Sequence, residues 1–414
     1  MSSIIASKLE NNIMITVEEA QNIIGSLRPN WGTEKVSVSN CTGRVLAEDV
    51  LADRDFPPFD RVTMDGIAFS FNSYAQGQRE FLVQGTQLAG EPAHELKEPS
   101  YALEIMTGAI IANGCDVVVR YEDLEFYEKG GEKMVKVLDE SAFQWKNIHK
   151  QGSDEKQGQF LLAKGILIDS AIVSILASVG KSEVEVLKTP KVAIISTGDE
   201  LVEVNEEPLP HQIRKSNVIT IQAELNRQGI QNELFHLPDD KQSLLDKIKV
   251  ILLEFDVILM SGGVSKGKAD YLPKVLDELG VEKKFHRLAQ RPGKPFWFGV
   301  YEDRIPVFAF PGNPISTIMC FRVYFMEWLE VCLGTQSKPL KAILSKDFSF
   351  KPDLGYFLQV SIDHNESGQI VATPQVGNGS GDIANLSQSD GFLYLPKGRT
   401  DFPKGELFDY YSFT

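Results

Sequence analysis

The sequence predicts an α/β multidomain protein built around a doubly wound, mostly parallel sheet. Buried-strand patterns alternate with helical patterns between residues 189 and 336, which is typical of a parallel sheet with helices on both faces. Short β-type runs on either side of this segment are separated by turn residues, which indicates smaller β domains. A chain of 414 residues is long enough for about two to four domains.

The composition narrows the class of function. Hydrophobic residues make up 43% of the chain and charged residues 24%, as in globular proteins that fold in water. The net charge of −15 argues against a nucleic-acid or anionic-membrane partner, but it is compatible with a local cationic pocket for a small anion. No stretch approaches membrane-spanning length and the N-terminal stretch lacks a long apolar segment, so we expect a cytoplasmic protein.

Several common site signatures are missing from the sequence. The four cysteines have neither CxxC nor zinc-ligand spacing, so we expect reduced thiols. The six histidines are scattered without ligand spacing, which favours surface or core positions. The predicted loops of the α/β segment contain no GxGxxG and no GxxxxGK[ST]. The sequence therefore does not indicate a dinucleotide or P-loop site.

The N-terminal part of the chain predicts a mixed segment. Thr16 and Glu19 have the spacing of a capping box, so a helix is expected from about residue 17 to residue 27. Residues 36–52 alternate and contain a Thr-Gly turn, which indicates a short strand-rich connection. Residues 54–70 are rich in proline and aspartate, and we expect them to be largely irregular and to carry a site on a loop.

The middle of the chain predicts a β module and then the α/β segment. Short β runs between residues 80 and 137 indicate a small all-β module. A helix should follow with Asp169 at its N-cap, and another should begin with Ser216 or Asn217 as its cap. The elements expected in the α/β segment are strands 191–198, 232–237, 255–262, 283–290, 294–299 and 306–310, and helices 216–229, 240–254, 271–280 and 314–334. Beyond residue 339, four further β runs predict a terminal barrel or sandwich.

Polar residues collect where the predicted strands end at their carboxyl edge. These ends share one rim of a parallel sheet, so loops that are far apart in sequence converge there. The glycine-rich loop Ser261–Asp270 lies between a strand and a helix, where free amides can bind an anion. The charged residues of the rim loops are Asp199, Glu200, Asp239, Asp240, Lys266, Lys268, Asp270, Arg287, Arg291 and Lys294. Carboxylates beside cations favour a magnesium-assisted reaction of a phosphate or another oxyanion.

Each group of rim residues also has a purely structural interpretation. The carboxylates can cap helices, the cations can be solvated surface charges, and the prolines of FPGNP can shape the turn before the long helix. The structural interpretation is strongest for Asp239 and Asp240, because a predicted helix begins directly after them. The joint occurrence of all these residues at one rim favours a site.

The motifs, taken in order, resemble those of the molybdopterin molybdenumtransferase family, which includes bacterial MoeA and the E domain of gephyrin. The matching stretches are FDRVTMDGIA (59–68), MTGAIIANGCDVVVRYED (106–123), GSDEKQG (152–158), TGDEL (197–201), PDD (238–240), SGGVSKGKAD (261–270), RPGKP (291–295), PGNP (311–314) and GNGSGDI (377–383). The glycine-rich loop alone is a weak signal, since related adenylyltransferases share it. The full series covers almost the whole chain and is specific.

The resemblance implies both an architecture and a reaction. It implies an elongated homodimer whose active site lies between the α/β domain of one subunit and β domains of the other. The reaction would be magnesium-dependent: adenylylated molybdopterin is hydrolysed, molybdate is placed on the dithiolene and AMP is released. Transient contact with the molybdopterin adenylyltransferase is also expected. The predicted domains are 1–58 with 142–188 (N-terminal), 59–141 (inserted β), 189–336 (α/β, molybdopterin-binding) and 337–414 (C-terminal β-barrel).

Residues that match the family's motifs are the candidate site. The resemblance implies catalytic roles for Asp65, Glu200, Asp239, Asp270, Arg287 and Arg291. Three of these, Glu200, Asp239 and Asp270, would hold Mg²⁺. The substrate-binding positions are Thr107, Asp154, Ser261, Gly262, Gly263, Ser265, Gly267, Lys294, Pro311, Pro314 and Ser380. We expect the walls at Asp65, Thr107 and Ser380 to come partly from a second subunit.

The chain departs from the family's pattern at a few positions. Ile67 stands where tyrosine is usual, and Gln359 stands where many members have arginine. Arg287 and Arg291 occupy positions that are commonly lysine. Two other functions compete with the transferase: adenylylation of molybdopterin itself and a non-catalytic scaffold role. The MDG and MTG motifs ahead of the α/β segment argue against adenylylation, and nothing in the sequence marks a groove for a receptor.

Overall fold

A computed structural model of the chain describes residues 14–264, 271–335 and 340–413. The first helix, α1 (Val17–Gly25), begins with the predicted capping box, in which Thr16 and Glu19 accept hydrogen bonds from each other's backbone amides. The buried face of α1 belongs to the same hydrophobic core as the α/β sheet and its helices. Helix α1 therefore packs against the α/β domain, although it precedes the short strand pairs of the N-terminal half.

Short antiparallel strand pairs surround an inserted β sheet in the N-terminal half. Strand β1 pairs with β12, β2 with β11 and β3 with β10. The elements of residues 33–187 are β1 (Thr33–Ser37), β2 (Val50–Leu51), β3 (Arg61–Val62), β4 (Gly66–Phe69), α2 (Phe71–Ala75), β5 (Glu80–Gln87), β6 (Tyr101–Ile105), β7 (Val117–Arg120), β8 (Leu124–Lys129), β9 (Glu132–Val137), β10 (Ile148–His149), β11 (Phe160–Leu162), α3 (Ser170–Ser178) and β12 (Glu183–Leu187).

The inserted sheet has the strand order β7-β4-β6-β5-β9-β8. It contains the β module predicted between residues 80 and 137. Strand β4 lies inside this sheet with all four residues buried, and with β3 it is one of two short strands in residues 54–70, which are otherwise irregular, in agreement with the prediction. Its residues pair with β6 on one side and β7 on the other, and these long-range partners stabilise a strand that proline-rich flanks obscure in the sequence. The cap predicted for α3 is confirmed, since Asp169 accepts a hydrogen bond from the Ile172 amide at 2.9 Å.

The α/β domain contains a six-stranded sheet of order β16-β13-β17-β21-β20-β18. The first four strands are parallel, and β20 and β18 are antiparallel. The elements are β13 (Val192–Thr197), β14 (Leu201–Val202), β15 (Ile213–Arg214), α4 (Ser216–Arg227), β16 (Asn232–Leu237), α5 (Lys241–Glu254), β17 (Val257–Ser261), α6 (Leu272–Glu278), β18 (Val281–His286), β19 (Gln290–Arg291), β20 (Trp297–Tyr301), β21 (Ile305–Phe310), α7 (Pro314–Cys320), a π-helical segment (Phe321–Met326) and α8 (Glu327–Leu333).

Two details of the α/β domain differ from the prediction. Helix α4 has Lys215 at its N-cap, without a side-chain capping bond, rather than Ser216 or Asn217. The predicted long apolar helix 314–334 is present, but its middle is the π-helical segment. Twelve of its residues are buried, and most of these belong to the core beside the sheet. Nowhere in residues 14–264, 271–335 and 340–413 is a helix long and apolar enough to cross a membrane.

The C-terminal part forms a closed five-stranded barrel, as predicted. Its circle runs β24-β25-β22-β28-β26 and closes by pairing of β24 with β26. Strand β19 of the α/β segment extends this sheet, with Arg291 opposite Tyr356 of β24. The strands are β22 (Leu340–Leu344), β23 (Phe348–Ser349), β24 (Gly355–His364), β25 (Ile370–Pro374), β26 (Gly391–Leu395), β27 (Asp401–Phe402) and β28 (Leu407–Ser412). The barrel and the α/β domain are therefore joined by backbone hydrogen bonds near the rim.

Helix α1 is held against α8 by polar as well as apolar contacts. The Gln21 side chain donates a hydrogen bond of 3.0 Å to the Glu327 carboxylate, and the Trp328 indole donates one of 2.9 Å to the carbonyl of Leu27. Burial raises the pKa of Glu327 to about 7, from an ordinary value of 4.5. The Glu327 carboxyl group therefore binds a proton more tightly in the folded chain than in the unfolded chain.

We expect Glu327 to make stability depend on pH. Between pH 4.5 and about 7 the folded chain binds more protons at this group than the unfolded chain, so stability falls as pH rises through this window. Glu327→Gln should remove that contribution and raise the melting temperature at pH 8 relative to the wild type. Thermal unfolding at pH 5 and pH 8 measures the effect, with Glu366→Gln in an exposed loop as control. An unchanged pH dependence in Glu327→Gln would contradict the assignment.

Candidate functional site

Strand register brings the predicted rim loops to one edge of the α/β sheet. Ser196 of β13 lies opposite His236 of β16 and Ser261 of β17, and Ser261 lies opposite Phe310 of β21. The loops that begin at these positions contain TGDEL, PDD, SGG and PGNP. All four parallel strands therefore end at one level, and their carboxyl-end loops share one rim.

The rim loops enclose a cavity of about 80 Å³, here called the rim cavity. Four of the predicted site residues line it: Glu200, Ser261, Gly262 and Pro314. It is also lined by residues that were not predicted as site residues, among them Thr197, Lys215, Asn217 and Gly312. The cavity combines a carboxylate, a lysine and hydroxyl groups, so it can bind a polar, anionic group.

The two glycines of the SGG loop allow a close approach to β13. A Cβ on Gly262 would lie 2.8 Å from the Thr197 carbonyl oxygen, and one on Gly263 would lie 2.9 Å from the Thr197 hydroxyl. Both glycines also have positive φ, 99° and 68°, which other residues rarely adopt. Side chains here would separate the loop from the strand. The remaining predicted positions of this loop, Ser265, Lys266, Gly267, Lys268 and Asp270, lie outside the described residues.

Asp239 and Asp240 are adjacent in sequence, but the structure places them in different roles. Asp240 is the N-cap of α5 and accepts a hydrogen bond of 2.8 Å from the Ser243 amide, which lowers the pKa of its carboxyl group. The backbone amide of Asp239 donates to the Asp199 carboxylate at 3.3 Å, which links the ends of β16 and β13. The helix-cap interpretation is therefore correct for Asp240.

The carboxylates of the rim offer hard oxygen ligands of the kind that Mg²⁺ prefers. Glu200 follows β13 and Asp239 follows β16, which are neighbouring parallel strands. Within the described ranges, no group of three His, Cys, Asp or Glu side chains is arranged to hold a metal ion. The third predicted ligand, Asp270, lies outside them. The donor chemistry at Glu200 and Asp239 fits magnesium, although these two residues supply only part of a ligand set.

A second cavity, of about 290 Å³, lies between the α/β domain and the barrel and is here called the barrel cavity. Arg291 and Ser380 line it together with Gln359. The Gln359 side chain is 8% exposed, and its amide nitrogen makes no hydrogen bond within the described residues. A buried donor without a partner is unfavourable. A ligand oxygen in this cavity would satisfy it.

Ser380 reaches the site within the same chain. Its hydroxyl accepts a hydrogen bond of 2.8 Å from the Asn313 side chain, and its carbonyl accepts one of 3.2 Å from the Ile315 amide. The expectation that a second subunit supplies this wall is therefore wrong for Ser380. The barrel is attached beside the rim through β19 and β24, so the loop after β25 can contact the PGNP loop directly.

Arg287 and Lys294 lie on the connection between β18 and β20. In the described part of the chain, they line neither the rim cavity nor the barrel cavity. Arg287 has a φ of 83°, and its Nε is buried without a hydrogen-bond partner in the described part of the chain. A non-glycine residue in this region is strained, and such strain often occurs at functional sites. The Lys294 side chain is exposed, and its carbonyl accepts a hydrogen bond from the Leu288 amide.

Asp65, Thr107 and Asp154 are placed by the inserted sheet and its flanking loops. The Asp65 carboxylate accepts a hydrogen bond of 2.6 Å from the Thr107 amide, which lowers the pKa of Asp65. Asp65 precedes Gly66, where a Cβ would lie 1.9 Å from the Val119 carbonyl oxygen. The Asp154 carboxylate lies 2.8 Å from the His149 ring. Asp65 and Thr107 therefore lie next to strands of the inserted sheet, and Asp154 lies in the loop after β10, so none of the three belongs to a rim loop.

Sequence reasoning missed the residue that connects the rim loops. The Asn217 side chain donates hydrogen bonds to the Ser261 hydroxyl at 2.9 Å and to the Gly312 carbonyl at 2.7 Å. It was interpreted only as a possible helix cap. Thr197 and Lys215 were missed as well. Thr197 lies at the start of a rim loop and Lys215 lies directly before a helix. These two positions were the signal in the sequence that could have indicated them.

Taken together, the mostly parallel α/β sheet and the attached β-barrel define a multidomain α/β protein with a polar cavity at the rim of its sheet. Three family models match the chain in order. They are the MoeA N-terminal region, domains I and II (residues 15–180), a probable molybdopterin binding domain (193–331) and the MoeA C-terminal region, domain IV (341–413).

Relatives and solved structures match over nearly the full length. The chain is 40% identical to a molybdopterin molybdenumtransferase from Synechocystis, over 96% of this chain and 100% of the relative. It is 30% identical to one from Bacillus subtilis, over 96% and 94%. A crystal structure of a molybdopterin biosynthesis MoeA protein from Pyrococcus horikosii superimposes with a TM-score of 0.80 at 31% identity, covering 97% and 99%. The chain belongs to the molybdopterin molybdenumtransferase family, as the sequence predicted.

The strain at Arg287 generates a testable prediction. Glycine adopts a φ of 83° readily, so Arg287→Gly should be more stable than Arg287→Ala by about 1 kcal/mol. Thermal unfolding of the two variants measures the difference.

A matched control for Arg287 is available in the turn between β20 and β21. Asp303 has a φ of 55° and is exposed. Asp303→Gly should therefore also be more stable than Asp303→Ala, and its oxyanion binding should stay unchanged. If Arg287→Gly were no more stable than Arg287→Ala, the strain would not be stored at this residue.

Proposed function

We propose that this chain inserts molybdate into adenylylated molybdopterin with release of AMP, as a step of molybdenum cofactor biosynthesis. Family membership supports the class of reaction, since the matched relatives carry the name molybdopterin molybdenumtransferase. One observation of the structure carries the proposal further. The PGNP loop forms a wall of the rim cavity through Gly312 and Pro314, and the next residue, Ile315, lines the barrel cavity. Two anion-binding cavities thus meet at one loop, as a reaction of a phosphate with an oxyanion requires.

The barrel cavity suits a tetrahedral oxyanion such as molybdate. Arg291 supplies a planar cationic group with several N–H donors, Gln359 supplies a buried amide donor without a partner, and Ser380 supplies a hydroxyl. The four oxygens of molybdate are acceptors, so each donor can bind one. Because the second donor is a neutral glutamine rather than an arginine, Arg291 carries the charge complementarity in this cavity.

The rim cavity suits the phosphate part of adenylylated molybdopterin. The proposed ligands of Mg²⁺ are Glu200, Asp239 and Asp270, which would hold the ion against the phosphates. When bound, Mg²⁺ would reduce the negative charge at phosphorus and so favour cleavage of the bond to AMP. The SGG loop brings Gly262 and its neighbours close to β13. An oxygen of water or of molybdate would attack the phosphorus on the pterin side while its bond to the bridging oxygen breaks, so AMP leaves and no protein nucleophile is required.

The full site is proposed to be completed in a homodimer. Asp65, Thr107 and Asp154 lie on the inserted sheet and its loops, away from the rim strands. The inserted sheet of a second copy and its neighbouring loops would bring these three residues to the rim of the first copy. We also propose a cytoplasmic location, in keeping with four cysteines that are all free thiols in the structure, and a transient contact with the molybdopterin adenylyltransferase.

The adjacent pair Asp239 and Asp240 tests the proposed reaction. Full-length chain is incubated with adenylylated molybdopterin, Mg²⁺ and molybdate, and AMP and active cofactor are followed. Asp239→Ala should abolish magnesium-dependent turnover with little effect on melting temperature. Asp240→Ala should lower the melting temperature, because it removes the N-cap of α5, yet it should retain turnover. Absence of AMP release by the wild type would contradict the transferase, and full activity of Asp239→Ala would contradict its metal role.

Gln359 provides a test that is specific for the oxyanion. Gln359→Leu removes the buried amide at similar size, so stability should be maintained, because no existing hydrogen bond of the amide nitrogen is lost. The KM for molybdate should rise about ten-fold, in line with one lost hydrogen bond to a charged group. The KM for adenylylated molybdopterin should not change. Arg304→Leu, at an exposed turn, is the control, and an unchanged KM for molybdate in Gln359→Leu would exclude the proposed contact.

A further inference from the structure

Lys215 is a buried cation on the wall of the rim cavity, and it is not among the residues of the proposed function. Its side chain is 8% exposed, and lysine rarely occupies such a position without a partner. It stands at the N-cap of α4, a helix of 12 residues, and its side chain makes no capping hydrogen bond. A helix N-terminus is itself electropositive. A lysine beside it therefore favours an anion at this point.

The present partner of Lys215 is a solvent-exposed carboxylate. The ammonium lies 2.5 Å from the Glu203 carboxylate, whose side chain is 58% exposed. An exposed carboxylate is well solvated without its partner, so such an ion pair is easily exchanged. Lys215 is different, because burial makes it costly to leave the ammonium unpaired. An anion that enters the rim cavity can therefore replace Glu203 as the partner of Lys215.

Thr197 is an independent indication of a ligand in the same cavity. It is 3% exposed, and its hydroxyl has no hydrogen-bond partner within the described residues. It lines the rim cavity together with Lys215. A buried hydroxyl without a partner costs free energy, which a ligand oxygen would recover. Thr197 comes from the end of β13 and Lys215 from the start of α4, so the two donors reach the cavity from separate elements.

We propose that Lys215 and Thr197 bind a phosphate group of the substrate in the rim cavity, and that this phosphate displaces Glu203 from Lys215. The inference rests on the proposed function and deepens it, because it assigns two substrate-binding residues in the rim loops. The rim cavity is about 80 Å³ in volume, which suits a single small group rather than a whole nucleotide. The phosphate can belong to the pterin or to the adenylate half of the substrate, and the test distinguishes these sources.

The test is calorimetric titration of the full-length chain with molybdopterin and, separately, with AMP. Lys215→Met should weaken binding of one of these probes about ten-fold, whereas Lys215→Arg should restore most of it. The probe affected identifies the half of the substrate whose phosphate lies in the cavity. Glu203→Gln removes the competing carboxylate, so it should tighten binding of the same probe. Because this variant also leaves the buried ammonium without its carboxylate, its melting temperature is measured beside the titration.

Thr197→Val separates a binding role from a structural one. Valine has nearly the same shape, and the hydroxyl makes no bond in the described structure, so the melting temperature should not fall. Binding of the affected probe should nevertheless weaken. Lys241→Met is the control, since Lys241 forms only a half-exposed pair with Glu278 at 2.6 Å, and it should bind both probes as the wild type does.

Three outcomes are decisive. Unchanged binding of both probes by Lys215→Met and Thr197→Val would overturn this inference and leave the transferase proposal intact. Failure of the unsubstituted chain to bind either probe would instead contradict the proposed function. Weaker binding by Glu203→Gln would also overturn the inference, because Glu203 would then assist the ligand rather than compete with it.

Discussion

The hydrogen bonds that hold the PGNP loop are the constraint on which the rest of the site depends. The Thr317 hydroxyl, fully buried in α7, donates to the Pro311 carbonyl at 2.6 Å, and the Asn217 side chain donates to the Gly312 carbonyl at 2.7 Å. Asn313 in turn donates to Ser380 of the barrel. Three separate elements, α7, α4 and the barrel, therefore converge on the four residues of the PGNP loop. Both cavities are defined relative to this loop, so a shift of the loop would change them together.

The barrel contributes to the site because backbone pairing attaches it to the α/β domain. Arg291 belongs to β19, which leaves the α/β domain to pair with β24. Tyr356 of β24 lies opposite Arg291, and Gln359 lies three residues further along the same strand. A strand pair fixes spacing more firmly than side-chain contacts between separate domains, since each hydrogen bond constrains two residues of backbone. The donors of the barrel cavity are therefore held in position before any ligand binds.

Local features of the sequence were predictable, and long-range ones were not. The capping box of Thr16 and Glu19 and the cap at Asp169 depend on residues three apart, so they can be read directly. The alternation of strands and helices in the α/β domain also follows from local periodicity. The contact of Ser380 with Asn313 joins residues 67 apart in the chain, and no local pattern specifies it. The docking of α1 on the α/β core was missed for the same reason, since its apolar face does not indicate which surface covers it.

The overall charge of the chain and the charge of its cavities have opposite consequences for an anionic substrate. The net charge is −15, which would repel phosphates at long range. Ionic screening acts over about 8 Å at physiological salt, so most surface carboxylates have little influence inside a cavity. Within that distance, the ammonium of Lys215 and the guanidinium of Arg291 supply positive charge to the rim cavity and the barrel cavity. An acidic protein can therefore offer two cavities suited to anions, because each has a cation on its wall and a buried donor without a partner in the described residues, Thr197 in one and Gln359 in the other.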